Sequence, residues 1–123
     1  MLLSKRDQSR LERELSRTLT DACEAAKAEL VGFSWLTHEV DYARFPESLQ
    51  VTWIFATEAQ KAQALADGQD RLMRTLTREA LAAAGIEMDA LPAAVHFDSE
   101  EACDRLDGGN WRQRLARQGR TRR

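Results

Sequence analysis

The segment EAQKAQALADGQDRLMRTLTREALAAAG, residues 58–85, decides the fold. Apolar residues recur in it at helical spacing on both sides of Ala66-Asp67-Gly68. A glycine inside a helix costs about 1 kcal/mol relative to alanine, so the chain is expected to bend or break there. Gly85 then provides a C-terminal stop. The segment therefore predicts two helices joined by a kink.

Strand-like segments lie on both sides of this helix pair. Residues 33–41 and 49–56 are rich in β-branched and aromatic residues, and residues 44–48 form a turn between them. A third short strand is predicted over residues 93–97, after Pro92. Two faces are expected for the first strand. Phe33 and Trp35 are predicted to lie on one face, and the other face is predicted to carry Leu36, His38 and Val40.

The chain begins with an amphipathic helix. Ser4 is a suitable N-cap, with Asp7 at the acidic position of a capping box, and the helix is expected to end before Gly32. The element order is then α-β-β-α-(Ala-x-Gly kink)-α-β. This order predicts a single α+β domain over residues 1–107, with a three-stranded sheet and helices packed on one face. Residues 108–123 are predicted to be a flexible, arginine-rich tail.

Length and composition narrow the class of protein. A chain of 123 residues with 43% hydrophobic and 31% charged residues fits one globular domain. No apolar run approaches the roughly 20 residues that a membrane span needs. The N-terminus lacks the apolar core of a signal peptide, so a cytoplasmic location and no membrane partner are expected. Cys23 and Cys103 are far apart and are interpreted as reduced thiols.

Charge is distributed unevenly along the chain, although the net charge is only −2. Residues 86–110 carry one basic and seven acidic side chains, whereas residues 111–123 carry six arginines and no acid. The arginine segment, with Arg112, Arg114 and Arg117, is either a phosphate-binding arm or a solvated tail that neutralises its acidic neighbour. Trp111 at its start either docks the tail onto the domain or anchors a partner.

A second group of basic residues lies after the kink. Arg71, Arg74 and Arg78 are spaced by three and four residues, so they share one exposed helix face. This face is either a phosphate-contacting ridge or an ordinary solvated surface, because acidic residues lie nearby in the sequence.

The sequence gives little support for catalysis. The histidines are His38 and His96, each on a predicted strand near a carboxylate, which leaves open a two-histidine metal site. No phosphate loop, dinucleotide fingerprint or nucleophile elbow is present. We therefore expect no enzyme activity, no metal, no cofactor and no small-molecule substrate.

Several motifs, taken in order, resemble the ribosome-binding factor A family. They are Leu30-Val31-Gly32-Phe33, Thr37-His38-Glu39-Val40, Pro46-Glu47, Ala66-Asp67-Gly68 and His96-Phe97-Asp98-Ser99. That family is a single KH-like domain of the type II arrangement, in which an Ala-x-Gly kink replaces the Gly-x-x-Gly loop. The similarity covers roughly residues 5–105.

The resemblance implies an RNA-contacting protein that associates with the small ribosomal subunit during maturation. Ala66, Asp67 and Gly68 match the family's kink, and the three arginines after it fall where the family carries a basic helix. The segment after Gly85 departs from the family because it is acidic. The alternative is a protein-interaction or regulatory domain that uses Trp35 and Trp53, or the acidic strip of residues 98–107, without binding RNA.

Overall fold

The structure, a computed structural model, describes residues 3–87 and 94–120, with the side chains of residues 118–120 excluded. Its helices and strands are, in chain order, α1 (Lys5–Lys27), β1 (Phe33–Glu39), β2 (Gln50–Phe55), α2 (Glu58–Ala66), α3 (Asp70–Ala83), β3 (Val95–Ser99), α4 (Glu100–Asp107) and α5 (Trp111–Arg120). The predicted α+β class and the order α-β-β-α-α-β are confirmed. Residue 93, at the start of the third predicted strand, and Pro92 before it lie outside the described residues.

The sheet has the strand order β1-β2-β3. β1 and β2 are antiparallel neighbours, whereas β2 and β3 are parallel. A parallel pair needs a crossover connection, and here α2 and α3 supply it. The kinked helix pair therefore sets the direction of the third strand.

The main core lies between one face of the sheet and the helices α1 and α3. Val51, Trp53 and Phe55 of β2 are fully buried there, together with Leu15 of α1 and Met73 of α3. The alternation of these β2 residues agrees with the period-two pattern of the sequence. Thr52 and Ile54 of β2 are also buried, because a further helix covers the second face of the sheet.

A β-bulge in β1 changes the predicted faces of that strand. Phe33 pairs with Phe55, but Trp35 pairs with Ile54, so the register shifts by one residue between them. The prediction that Phe33 and Trp35 share a face is therefore wrong. The extra residue, Ser34, reverses the alternation and sends the two rings to opposite faces. Phe33 joins the core beside Trp53 and Phe55.

The second face of the sheet is covered by α5. The rings of Trp35 and Trp111 meet edge to face, with centroids 5.1 Å apart. Leu115 of the same helix is buried. Within the segment predicted to be a tail, residues 111–120 thus form a helix that packs on the domain, and Trp111 docks it.

Of the helices in the described ranges, none is long and apolar enough to cross a membrane.

Candidate nucleic-acid interface

The kink forms where two helix ends meet. α2 ends at Ala66, and the N–H groups of Asp67, Gly68 and Gln69 donate to carbonyl oxygens of the last turn of α2. Gly68 has a φ of 79°, in the left-handed region that favours glycine. A Cβ atom added there would meet no atom within 4 Å. Glycine is therefore required by backbone conformation, and the space above it is open.

The start of α3 follows at once. The N–H of Arg71 donates to the carbonyl oxygen of Gly68 at 3.2 Å, which ties the first turn of α3 to the kink. The inner face of α3 buries Met73, Thr77 and Leu81. This stripe fixes the rotation of the helix, so the face that carries Arg71 and Arg78 points to solvent.

The three arginines of α3 differ in their surroundings. Arg71 and Arg78 are exposed, and neither forms an ion pair with a residue that the structure describes. Arg74 is partly buried: its Nε lies 3.6 Å from Asp70 Oδ2, and its guanidinium lies 5.4 Å from the ring centroid of Phe97. Arg74 therefore packs toward the sheet by a cation–π contact, which leaves Arg71 and Arg78 as the uncommitted pair.

Arg71 and Arg78 are seven residues apart, which is about 10 Å along a helix axis. We call the solvent-facing side of α3, which carries Arg71 and Arg78, the arginine ridge. It can hold successive phosphates of one strand.

Arg114 of α5 has a different environment. Its side chain is only 13% exposed and forms a two-bond pair with Asp98, Nε to Oδ2 at 2.7 Å and Nη2 to Oδ1 at 2.9 Å. Nη1 also donates to Asp107 at 2.8 Å. These carboxylates raise the pKa of Arg114. Arg114, predicted as a phosphate-binding residue, is thus engaged within the domain.

The other two arginines predicted on this segment lie nearer the surface. Arg117 is half exposed and donates to Asp107 at 2.6 Å. Hydrogen bonds from Arg114 and then Arg117 lower the pKa of Asp107. Arg112 is exposed and has no ion pair within the described ranges. Arg114 and Arg117 therefore neutralise acids of the preceding block from a docked helix, and not from the solvated tail that was one of the two alternatives.

Of the surfaces expected for a protein-interaction role, the two tryptophans are packed within the domain, whereas much of the acidic strip is exposed. Trp53 is fully buried, and its indole N–H donates to Thr77 Oγ1 at 3.0 Å. Trp35 packs against Trp111. In the acidic strip, Asp98 is buried in its pair with Arg114, and Glu101 accepts a hydrogen bond from the backbone N–H of Glu58 at 2.8 Å.

The two histidines lie on opposite faces of the sheet. His38 faces α1, where its Nε2 lies 2.9 Å from Glu12 Oε2, and Tyr42 donates to the other oxygen of the same carboxylate at 2.7 Å. His96 contacts Gln50 on the second face. The two-histidine site is therefore not assembled. No group of three histidine, cysteine, aspartate or glutamate residues in the described parts of the chain is placed to hold a metal ion.

Both thiols lie in environments that suppress the thiolate. Cys103 is buried and Cys23 is half-buried. Burial is the main cause that raises the pKa of each. A raised thiol pKa means little thiolate near neutral pH, so neither cysteine is an activated nucleophile.

Sequence reasoning missed the acidic partners of Arg114. The signal was present, because an acidic block directly precedes an arginine segment. The charge pattern gave no way to choose which acids are buried.

Comparisons with protein-family models, with curated proteins and with solved structures give no match. The function is therefore inferred from the contacts and charges of the residues themselves.

Proposed function

We propose that this protein binds RNA through the arginine ridge of α3, beside the kink at Gly68. One observation carries the proposal: Arg71 and Arg78 are exposed on one helix face with no ion pair among the described residues. Guanidinium groups in this state release counterions when they meet phosphates, and that release is a main source of affinity for nucleic acid.

α1 carries arginines in two kinds of surroundings. Two of them are paired with acids of their own helix, Arg10 with Asp7 at 3.1 Å and Arg17 with Glu14 at 2.7 Å. The pairing of Arg17 lowers the pKa of Glu14. Arg6 and Arg13 are exposed like the arginines of the ridge, so the choice of α3 is supported by its position directly after the kink.

The finer proposal is association with the small ribosomal subunit. It is supported by the resemblance to ribosome-binding factor A and by the position of the basic helix directly after Ala66-Asp67-Gly68. Sedimentation of a cell lysate on a sucrose gradient tests it. Co-migration with the free small subunit that survives moderate salt is the expected result. Migration at the top of the gradient in both low and moderate salt would contradict it.

Direct RNA binding is tested with a matched pair of double variants. Arg71→Glu with Arg78→Glu reverses two charges of the ridge. The control, Arg6→Glu with Arg13→Glu, reverses two exposed arginines with the same seven-residue spacing on α1. Fluorescence anisotropy with a labelled single-stranded RNA should show at least a tenfold weaker binding for the ridge variant alone. Equal losses of RNA affinity in the two variants would contradict the assignment of RNA binding to the ridge.

Stability distinguishes a lost contact from a lost fold. Both pairs of arginines are exposed, and surface substitutions of this kind usually change stability by less than about 0.5 kcal/mol. The melting temperatures of both double variants should therefore stay close to that of the wild type.

A further inference from the structure

A cleft of about 240 Å³ opens beside the kink, between the end of α1 and the outer side of α2. Leu30, Val31 and Ala64 supply its apolar lining, and Val31 is 83% exposed, which is unusual for a valine. The volume is below the roughly 300–1,000 Å³ of ordinary small-molecule pockets. The cleft therefore has room for one heterocycle.

The polar groups of the cleft include carboxylate acceptors with free capacity. Gln63 Nε2 donates to Asp67 Oδ1 at 2.9 Å, which orients that carboxylate and leaves its second oxygen open. The carboxylate of Glu29 and the carboxamide of Gln69 also line the cleft. Neither makes a hydrogen bond to another side chain or backbone group in the described ranges. A ligand that presents N–H donors would satisfy these groups.

One wall of the cleft is held rigidly. At Gly32, an added Cβ atom would lie 2.3 Å from Cδ of Gln60, a lining residue. The backbone between α1 and β1 thus packs directly onto the Gln60 side chain. Thr57 Oγ1 lies 3.2 Å from Gln60 Oε1 on the other side. This wall is already formed and needs no rearrangement to receive a flat ring.

The cleft and the arginine ridge meet at the kink. Asp67 and Gln69, which line the cleft, flank Gly68, whose carbonyl oxygen accepts from the N–H of Arg71. The cleft therefore lies beside the first turn of the helix that carries Arg71 and Arg78. Single-stranded RNA is read through bases that are turned out of the stack, and hydrogen bonds to their Watson–Crick edges give the selectivity.

We infer that this cleft takes one unpaired guanine of the RNA strand that the ridge holds. Guanine presents two adjacent donors, N1–H and N2–H, which one carboxylate can accept together; each carboxylate oxygen has two lone pairs, so Asp67 Oδ1 can accept a second bond beside that from Gln63. Uracil presents a single N3–H between two carbonyl oxygens, which Glu29 and Asp67 would repel. The same carboxylates exclude a phosphate from the cleft. This inference rests on the proposed function, because the ridge must first bind the strand.

The test compares two strands and three proteins. Anisotropy is measured with a labelled heptauridylate and with the same strand carrying one central guanosine. Wild-type protein should bind the guanosine strand at least about fivefold more tightly, which is the discrimination expected for one bidentate pair. Asp67→Asn keeps the shape and the acceptor for Gln63 but removes the carboxylate. It should bind both strands equally. The control Asp104→Asn removes an exposed carboxylate of α4 and should keep the preference.

Each other outcome has a definite meaning. Equal binding of both strands by the wild type overturns the cleft and leaves RNA binding by the ridge intact. A preference that survives in Asp67→Asn also overturns the cleft. Tighter binding of a strand with central adenosine or cytidine overturns the choice of guanine. Binding of neither strand overturns the proposed function together with this inference.

Discussion

Thr77 is the hydrogen-bond partner of a fully buried polar group of the core, the indole N–H of Trp53. Thr77→Val keeps the shape of the side chain but leaves that N–H without an acceptor. An unsatisfied buried donor costs about 1–3 kcal/mol, so the free energy of unfolding in urea should fall by that amount. Thr75→Val is the control, because Thr75 is exposed on the same helix. Equal decreases in the free energy of unfolding of the two variants would show that the hydrogen bond between Trp53 and Thr77 does not stabilise the core.

The identity of Gly68 follows from its backbone conformation, with φ at 79°. A residue with a Cβ atom in the left-handed region costs about 1–2 kcal/mol, whereas asparagine tolerates that region better. Gly68→Ala should therefore lower the free energy of unfolding by about 1 kcal/mol, and Gly68→Asn by less. Because a Cβ meets no atom within 4 Å, packing adds nothing to this cost. A larger loss for asparagine than for alanine would contradict this explanation.

At the scale of elements, the helix pair around the kink could be predicted and the docking of α5 could not. Apolar residues recur at helical spacing on both sides of Ala66-Asp67-Gly68. This pattern involves only neighbouring residues, so it can be read from the sequence without knowledge of the fold. The bulge at Ser34 has no such signal, since any small polar residue fits there. α5 is held by contacts with distant elements, Trp111 with Trp35 and Arg114 with Asp98. Neither partner can be chosen from spacing alone.

The docking of α5 depends on Arg114. Arg114→Ala removes the two hydrogen bonds that the guanidinium donates to the carboxylate of Asp98, which is 2% exposed. Removing one partner of a buried pair costs about 3–5 kcal/mol. We expect a loss at the lower end of that range in denaturant unfolding, with a change in tryptophan fluorescence as Trp35 becomes exposed. Arg112→Ala, on the outer face of the same helix, should change little. A near-zero effect of Arg114→Ala would show that α5 is held by its apolar contacts alone.

For the whole molecule, carboxylates that accept hydrogen bonds between elements make stability depend on pH. The pKa of Asp107 is lowered by hydrogen bonds from Arg114 and Arg117, and the pKa of Glu58 by a hydrogen bond from Ser99. A lowered pKa means that the unfolded state binds more protons. This stability is present above the ordinary carboxyl pKa values of about 4 and is lost as the pH falls below them.

The acid dependence has a direct check. The free energy of unfolding of the wild type should decline as the pH falls from about 5 to about 2, over the range where these carboxylates take up protons in the unfolded state. Asp107→Asn should be less stable at neutral pH but should show a shallower decline. Asp104→Asn, which removes an exposed carboxylate of the same helix, should keep the wild-type slope. Parallel curves for the wild type and Asp107→Asn would contradict this assignment.

The central claim is that phosphates bind on the arginine ridge, and the salt dependence of RNA binding tests it most directly. Each phosphate neutralised on a single strand contributes about −0.7 to the slope of log K against log salt concentration. The uncommitted pair Arg71 and Arg78 therefore contributes about −1.4 to the wild-type slope. Arg71→Ala with Arg78→Ala should make the slope shallower by about 1.4, whereas Arg6→Ala with Arg13→Ala should leave it unchanged. An identical slope in the ridge variant and the wild type would contradict the account.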